Sequence, residues 1–131
     1  MRTMEVKTAD LIGPALDWAV AATSGVPLEF VDGKCFVPWG NAIPGCAKNG
    51  ATHWSPSTNW SQGGPLIDKH RFEFEWVDSD WHGEPLQFFT ACGCDMPADA
   101  TSAGPTHLIA ACRAIVRAKL GNTVQIPAEL A

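Results

Sequence analysis

The segment PTHLIAACRAIVRAKL, residues 105–120, decides the fold of this chain of 131 residues. Its apolar side chains recur at the spacing of one helical face: Leu108, Ile109, Cys112, Ile115, Val116 and Leu120. Arg113 and Arg117 stand four residues apart on another face, and Gly121 follows where such a helix would end. The pattern predicts a helix over 105–120 that packs its apolar face on the core.

A second helix is predicted between Gly13 and Gly25, where Asp17 is the only charged residue. A helix that is apolar on nearly all its sides lies at the centre of a protein or beneath a partner. Pro14, Pro65 and Pro105 each follow a glycine. Because a helix needs no N–H from its first residue, we expect these prolines to begin helices.

The remaining periodic segments predict two hairpins. Residues 28–31 and 35–37 flank an Asp-Gly dipeptide at 32–33, which is typical of a two-residue type I′ turn. Residues 71–77 alternate apolar and acidic side chains, as a half-exposed strand does, and 86–91 supply its partner.

The order of these segments predicts an α+β fold. A long loop over about 38–64 and a short helix at 65–70 separate the two hairpins. We expect a single domain over 1–131, in two layers, in which a small antiparallel sheet made of the two hairpins is covered by the N-terminal and C-terminal helices.

The charge balance excludes some classes of partner. The formal net charge is -5, from 14 acidic and 9 basic residues. Nucleic acids and anionic membrane surfaces both attract basic faces, so we expect no nucleic-acid partner and no membrane partner. The first ten residues carry no apolar signal core, and we expect a cytoplasmic protein.

The five cysteines do not follow a metal-binding pattern. The closest pair, Cys92 and Cys94, has one residue between its members, whereas structural zinc sites favour two or more. An odd number without a secretion signal also argues against a disulfide framework. We expect free thiols, no bound metal and no cofactor.

The segment WSPSTNWSQGGP, residues 54–65, places two tryptophans among turn-forming and hydrogen-bonding residues. One interpretation is structural: Trp54 and Trp60 anchor a loop to the core. The other adds a ligand, because a helix beginning at Pro65 would offer free N–H groups and a positive dipole to an anion, while an indole stacks on a planar ring. Walker and dinucleotide-binding glycine motifs do not occur in the chain.

The ligand interpretation assigns candidate binding residues from three segments. They are Ser57, Thr58, Asn59, Trp60, Gln62, Gly63, Gly64, Thr106, Arg113 and Asp17. Arg113 either contacts a ligand or lies on a solvated helix face. Asp17 either pairs with Arg113, lines a site or favours the first turn of its helix.

Catalytic patterns are sparse, and no catalytic residue is assigned. His53 with Asp68 or Asp80 would need the fold to bring them together. A cluster of Asp78, Asp80 and Glu84 lacks the spacing of a calcium loop. A small hydrolase would require His53 or His82 beside a nucleophile or a metal.

Four motifs together resemble a known family. They are LDWAVA at 16–21, SPST-x-W-x-QGGP at 55–65, GPT-x-LIAA-x-R at 104–113 and KLG at 119–121. The chain resembles, over nearly its whole length, a family of small phage- and prophage-encoded bacterial proteins classed as a domain of unknown function. The chain departs from that family's usual residues at Trp54, Asn59, His107 and Cys112.

The resemblance implies a bacterial or phage accessory protein and brings no catalytic residues; in particular, it gives His107 no family-wide role. We therefore expect a non-enzymatic protein that uses the 54–65 loop to bind a small planar or anionic ligand or a host protein. A pure protein–protein interaction module and a small hydrolase are the alternatives.

Overall fold

The computed structural model describes residues 2–38, 43–46, 52–81 and 83–131. The helices are α1 Gly13–Ser24, α2 Trp60–His70 and α3 His107–Leu120, with short 3-10 turns at Thr8–Asp10, Ala98–Ala100 and Ala128–Leu130. The strands are β1 Thr3–Lys7, β2 Glu29–Val31, β3 Lys34–Val37, β4 Thr52–His53, β5 Phe72–Trp81, β6 Glu84–Gly93, β7 Ser102–Gly104 and β8 Thr123–Pro127. The predicted α+β class is confirmed.

The strands form three small antiparallel sheets, in the orders β1-β8, β2-β3-β4 and β5-β6-β7. Both predicted hairpins are confirmed, but each belongs to its own sheet. In the first hairpin Asp32 and Gly33 have φ values of 53° and 72°, as a type I′ turn requires. The sequence did not predict β1, whose side chains are mostly exposed and which pairs with β8 through the backbone, Thr3 opposite Pro127.

The central position predicted for α1 is confirmed. Leu16, Ala19 and Val20 are completely buried in the main apolar cluster. From α3, the side chains of Cys112 and Val116 join that same cluster.

The other side of α3 packs on the sheet of β5, β6 and β7. There Ala110 and Ala111 form a second cluster with Ala91 of β6, and Phe72 and Phe74 of β5 pack against it. Gly104 of β7 lies so close to α3 that a Cβ would come within 2.7 Å of the Ala110 nitrogen. The small residues of α3 therefore let a helix and a sheet approach closely.

The predicted helix start at Pro65 is wrong. Helix α2 begins at Trp60, and Asn59 is its N-cap: the Asn59 Oδ1 accepts a hydrogen bond from the Ser61 N–H at 2.9 Å. Pro65 lies inside the helix, where it has no N–H for the hydrogen bond to the carbonyl four residues earlier. A side-chain cap thus outweighs the preference of proline for the first turn.

Helix α3, in contrast, begins at His107, two residues after Pro105, where the helix was predicted to start. Thr106 is the N-cap, and its Oγ1 accepts a hydrogen bond from the Ile109 N–H at 3.1 Å. The C-terminus at Leu120, followed by Gly121, is as predicted. Of the three prolines, only Pro14 lies in the first turn of its helix.

Candidate functional site

The two tryptophans of the 54–65 segment have opposite environments. Trp54 is 2% exposed, and its indole N–H donates to the backbone carbonyl of Asp17 at 2.8 Å. Trp60 is 58% exposed. The structural interpretation is therefore right for Trp54, whereas Trp60 presents its indole to the surface.

The buried side chain of Gln62 forms hydrogen bonds with the backbone of the 54–65 loop and the residue before it. Its Oε1 accepts from the Ser55 N–H at 2.7 Å, and its Nε2 donates to the His53 carbonyl at 2.8 Å. The residue is 1% exposed. Its amide is directed at the backbone of its own loop, so Gln62 lies away from the surface where a ligand would first make contact.

Gly63 marks a close approach between α2 and its surroundings. A Cβ at this position would clash with the Pro56 carbonyl oxygen and would lie 2.6 Å from Leu108 Cδ2. Gly64 has more room, with the Trp60 ring 3.9 Å away. The first glycine therefore serves packing, and neither is required by a left-handed backbone.

Asp17 is a buried carboxyl beneath the loop. It is 3% exposed, and its Oδ1 accepts from the Ser57 N–H at 2.9 Å. Burial raises the pKa of Asp17 from 3.8 to about 6, although the Ser57 hydroxyl and N–H partly offset this rise. The Ser57 Oγ is buried and lies close enough to the Asp17 carboxyl to lower its pKa, although it makes no hydrogen bond of good geometry within the described residues.

An open groove of about 370 Å³ lies between the loop and the start of α3. Four of the candidate residues line it: Ser57, Thr58, Trp60 and Thr106. The positive end of the α3 dipole is directed at this groove because Thr106 caps the helix there. The structure thus brings the 54–65 segment and the 104–113 segment together at one surface.

The other candidates lie outside this groove. Asn59 caps α2, and Gln62, Gly63 and Asp17 are buried or packed beneath the loop. Arg113 does not pair with Asp17: its Nε donates to the Leu11 carbonyl and its Nη1 to the Ala103 carbonyl, both at 2.9 Å.

Sequence reasoning missed the aromatic neighbours of Trp60. His107 lies with its ring centroid 6.2 Å from that of Trp60 and 3.9 Å from that of Phe89. Phe89 in turn contacts Trp76, which is 49% exposed, with ring centroids 4.7 Å apart and the ring planes tilted by 55°. We call Trp60, His107, Phe89 and Trp76 the aromatic surface. The alternating pattern of β5 contained Trp76, but only strand pairing could place Phe89 beside it.

The contacts of His70 and His53 bear on the hydrolase alternative. The His–Asp contact that forms is His70 Nδ1 to Asp95 Oδ2 at 2.8 Å, at the end of α2, and it lowers the pKa of Asp95. The His53 ring instead contacts Phe36 at a centroid distance of 5.5 Å. His82 lies outside the described residues.

Neither a cluster of metal ligands nor a membrane-spanning helix occurs in the part of the chain that the structure describes. Groups of three or more His, Cys, Asp or Glu side chains able to hold a metal do not occur among the described residues. The helices found there are too short or too polar to cross a bilayer. All five cysteines are unbridged.

Comparison with known proteins identifies the family. No curated protein matches the chain significantly. The model of the family described as bacteriophage P22 NinX matches residues 7–119, which include every helix start and the whole groove between the loop and α3. The resemblance to phage-encoded proteins is thereby confirmed: the chain belongs to the bacteriophage P22 NinX family.

Proposed function

We propose that this phage-family protein is a non-enzymatic accessory protein that binds a small planar, anionic molecule in the groove between its loop and α3. The single observation that carries this proposal is the exposed indole of Trp60 beside the N-terminus of α3. An indole offers a stacking face to a planar ring, and a helix N-terminus favours negative charge.

The Ser57 hydroxyl supports the same conclusion. The hydroxyl lines the groove and lies beside the Asp17 carboxyl, to which its O–H can donate, so its oxygen can still accept a hydrogen bond from a polar ligand atom. The chemistry of the lining residues therefore matches a ligand that combines a flat ring, a polar edge and a negative group.

A screen of planar anions tests the proposal. Nucleoside monophosphates, cyclic nucleotides and aromatic carboxylates would be titrated while the melting temperature is recorded, because a ligand that binds only the native state raises it. Trp60→Ala should abolish the shift. Trp76→Ala is the matched control, since it removes an indole that is 49% exposed, against 58% for Trp60, and that does not line the groove.

The continuity of the aromatic surface favours a second candidate, a host protein that docks on it. Exposed tryptophans are common energetic centres of protein interfaces. This alternative predicts that Trp60→Ala and Trp76→Ala both weaken capture of a specific bacterial protein, and that no planar anion raises the melting temperature. Loss of the ligand-induced shift in Trp60→Ala alone would support the ligand and count against the protein partner.

A further inference from the structure

A second open cleft, of about 740 Å³, lies on the other side of the Gly104–Pro105 turn from the Trp60 groove. Three basic residues line it: Lys7 from β1, and Arg113 and Arg117 from α3. The hydroxyl-bearing residues Thr90 and Thr123 line it as well. The chain has a net charge of -5, so a cleft lined by three basic side chains differs in charge from the protein as a whole.

The two arginines are held in place by neutral partners. Arg113 donates to the Leu11 and Ala103 carbonyls, as described above. Arg117 donates from Nε to the Asn122 Oδ1 at 2.9 Å and from Nη1 to the Thr101 carbonyl at 3.0 Å. These contacts orient each guanidinium and do not neutralise its charge.

Each of the two arginines also has one guanidinium nitrogen that makes no hydrogen bond within the described residues. Among the hydrogen bonds formed within the described residues, the Nη2 of Arg113 and that of Arg117 take no part. The ion pair found in that part of the chain joins His70 to Asp95 and involves neither arginine. Asp10 acts on Arg113 only through its more distant charge.

We propose that this cleft binds a small molecule that carries phosphate, with Arg113 and Arg117 as its two anchoring donors and Lys7 as a supporting charge. Residues four apart on a helix stand about 5–6 Å apart at their Cβ atoms, a spacing suited to two anionic groups or to one phosphate held from two sides. Arginine is favoured at such sites because its guanidinium donates several hydrogen bonds and keeps its charge.

The site is separate from the groove of the proposed function. Pro105 lines both concavities, but Trp60 and His107 line only the groove, whereas the two arginines line only the cleft. Each site can therefore be disabled without touching the other, and either proposal can fail alone.

Titration with sodium pyrophosphate at low salt tests the cleft. We expect the side-chain Nε signals of Arg113 and Arg117 to shift saturably in nitrogen-15 NMR spectra, and calorimetry to report binding. Arg117→Gln should weaken the affinity at least about tenfold, because a charge-assisted hydrogen bond is removed. Trp60→Ala should leave pyrophosphate binding unchanged.

Matched lysine variants keep the test valid if Arg117→Gln fails to fold. Lys7→Gln should weaken pyrophosphate binding several-fold, whereas Lys119→Gln, which removes the same charge from an exposed position outside the cleft, should not. Equal weakening by both would indicate a general charge effect and overturn the proposal. Absence of arginine shifts at millimolar pyrophosphate, or binding of single-stranded oligonucleotide without binding of pyrophosphate, would also overturn it.

Discussion

Trp54 and Trp60 stand six residues apart in one segment, yet the first is 2% exposed and the second 58%. Trp54 packs in the main cluster and donates to α1, whereas Trp60 is the first residue of α2 and turns outward beside His107. The segment thus has a buried half and an exposed half. Its first half packs on the core through Trp54, and its second half begins α2 with the exposed indole of Trp60.

The largest expected effect separates the two tryptophans directly. Trp54→Ala should lower the free energy of unfolding by about 3–5 kcal/mol, because a buried ring and the hydrogen bond to the Asp17 carbonyl are both lost. Trp60→Ala should lower it by less than about 1 kcal/mol, since most of that side chain is already in water. Urea unfolding of both variants measures the difference; equal losses would remove the distinction between the two halves.

The pH dependence of the free energy of unfolding tests the environment of Asp17, beneath the buried half of the segment. Its pKa is about 6 in the folded protein and 3.8 ordinarily, so between these values the folded state binds the extra proton. Stability from this group is therefore present below pH 3.8 and is lost as pH rises through about 6. The total loss is roughly 3 kcal/mol.

Asp17→Asn removes this titration while keeping an oxygen that can accept from the Ser57 N–H. The difference in unfolding free energy between variant and wild type should move in favour of the variant as pH rises from 4 to 7. Unfolding curves across this range measure it. A constant difference would mean that Asp17 ionises normally.

A substitution at Gln62 tests whether its side-chain amide stabilises the loop. Gln62→Ala should cost about 2–3 kcal/mol, because the Ser55 N–H would be left buried without its partner and the partly buried His53 carbonyl would lose its donor. The neighbouring exposed residue provides the control, and Ser61→Ala should cost less than about 0.5 kcal/mol. Thermal unfolding of the pair gives the comparison. A Gln62→Ala variant as stable as Ser61→Ala would return Gln62 to the list of ligand contacts.

The smallest effects concern the two helix caps that flank the groove. Asn59→Ala and Thr106→Ala should each cost about 1 kcal/mol, because each removes the acceptor for one N–H of a first turn. Replacing either by Ser should recover most of the stability. A change at Thr106 should in addition alter ligand binding in the groove, whereas a change at Asn59 should not, since only Thr106 lines it.

Much of this architecture follows from local pattern. The heptad-like spacing of Leu108, Cys112 and Ile115 predicts α3, and the single charge of α1 predicts its central place. The dipeptide at 32–33 predicts the first hairpin turn. Strand β1 escaped prediction because an edge strand with exposed side chains has no period of its own to detect.

The start of α2 shows where a local rule conflicts with a stronger one. Pro65 follows Gly64 and matches a helix-start signal, but Asn59 caps the chain six residues earlier. Burial of Gln62 and Gly63 within the first turns then stabilises the longer helix against the cost of an interior proline. Asn59 could be recognised in the sequence as a possible N-cap, but the burial of Gln62 and Gly63 that favours a helix starting there could not.

The sequence by itself determined the α+β class, the apolar faces of α1 and α3, the two hairpins and the kinship with phage proteins. Only the tertiary structure decided which of two similar tryptophans is buried, that Gln62 serves the loop, and that Trp60 meets Phe89 and His107. The physical reason is that periodicity reports which face of one element avoids water, whereas a site is formed by side chains from elements far apart in the chain.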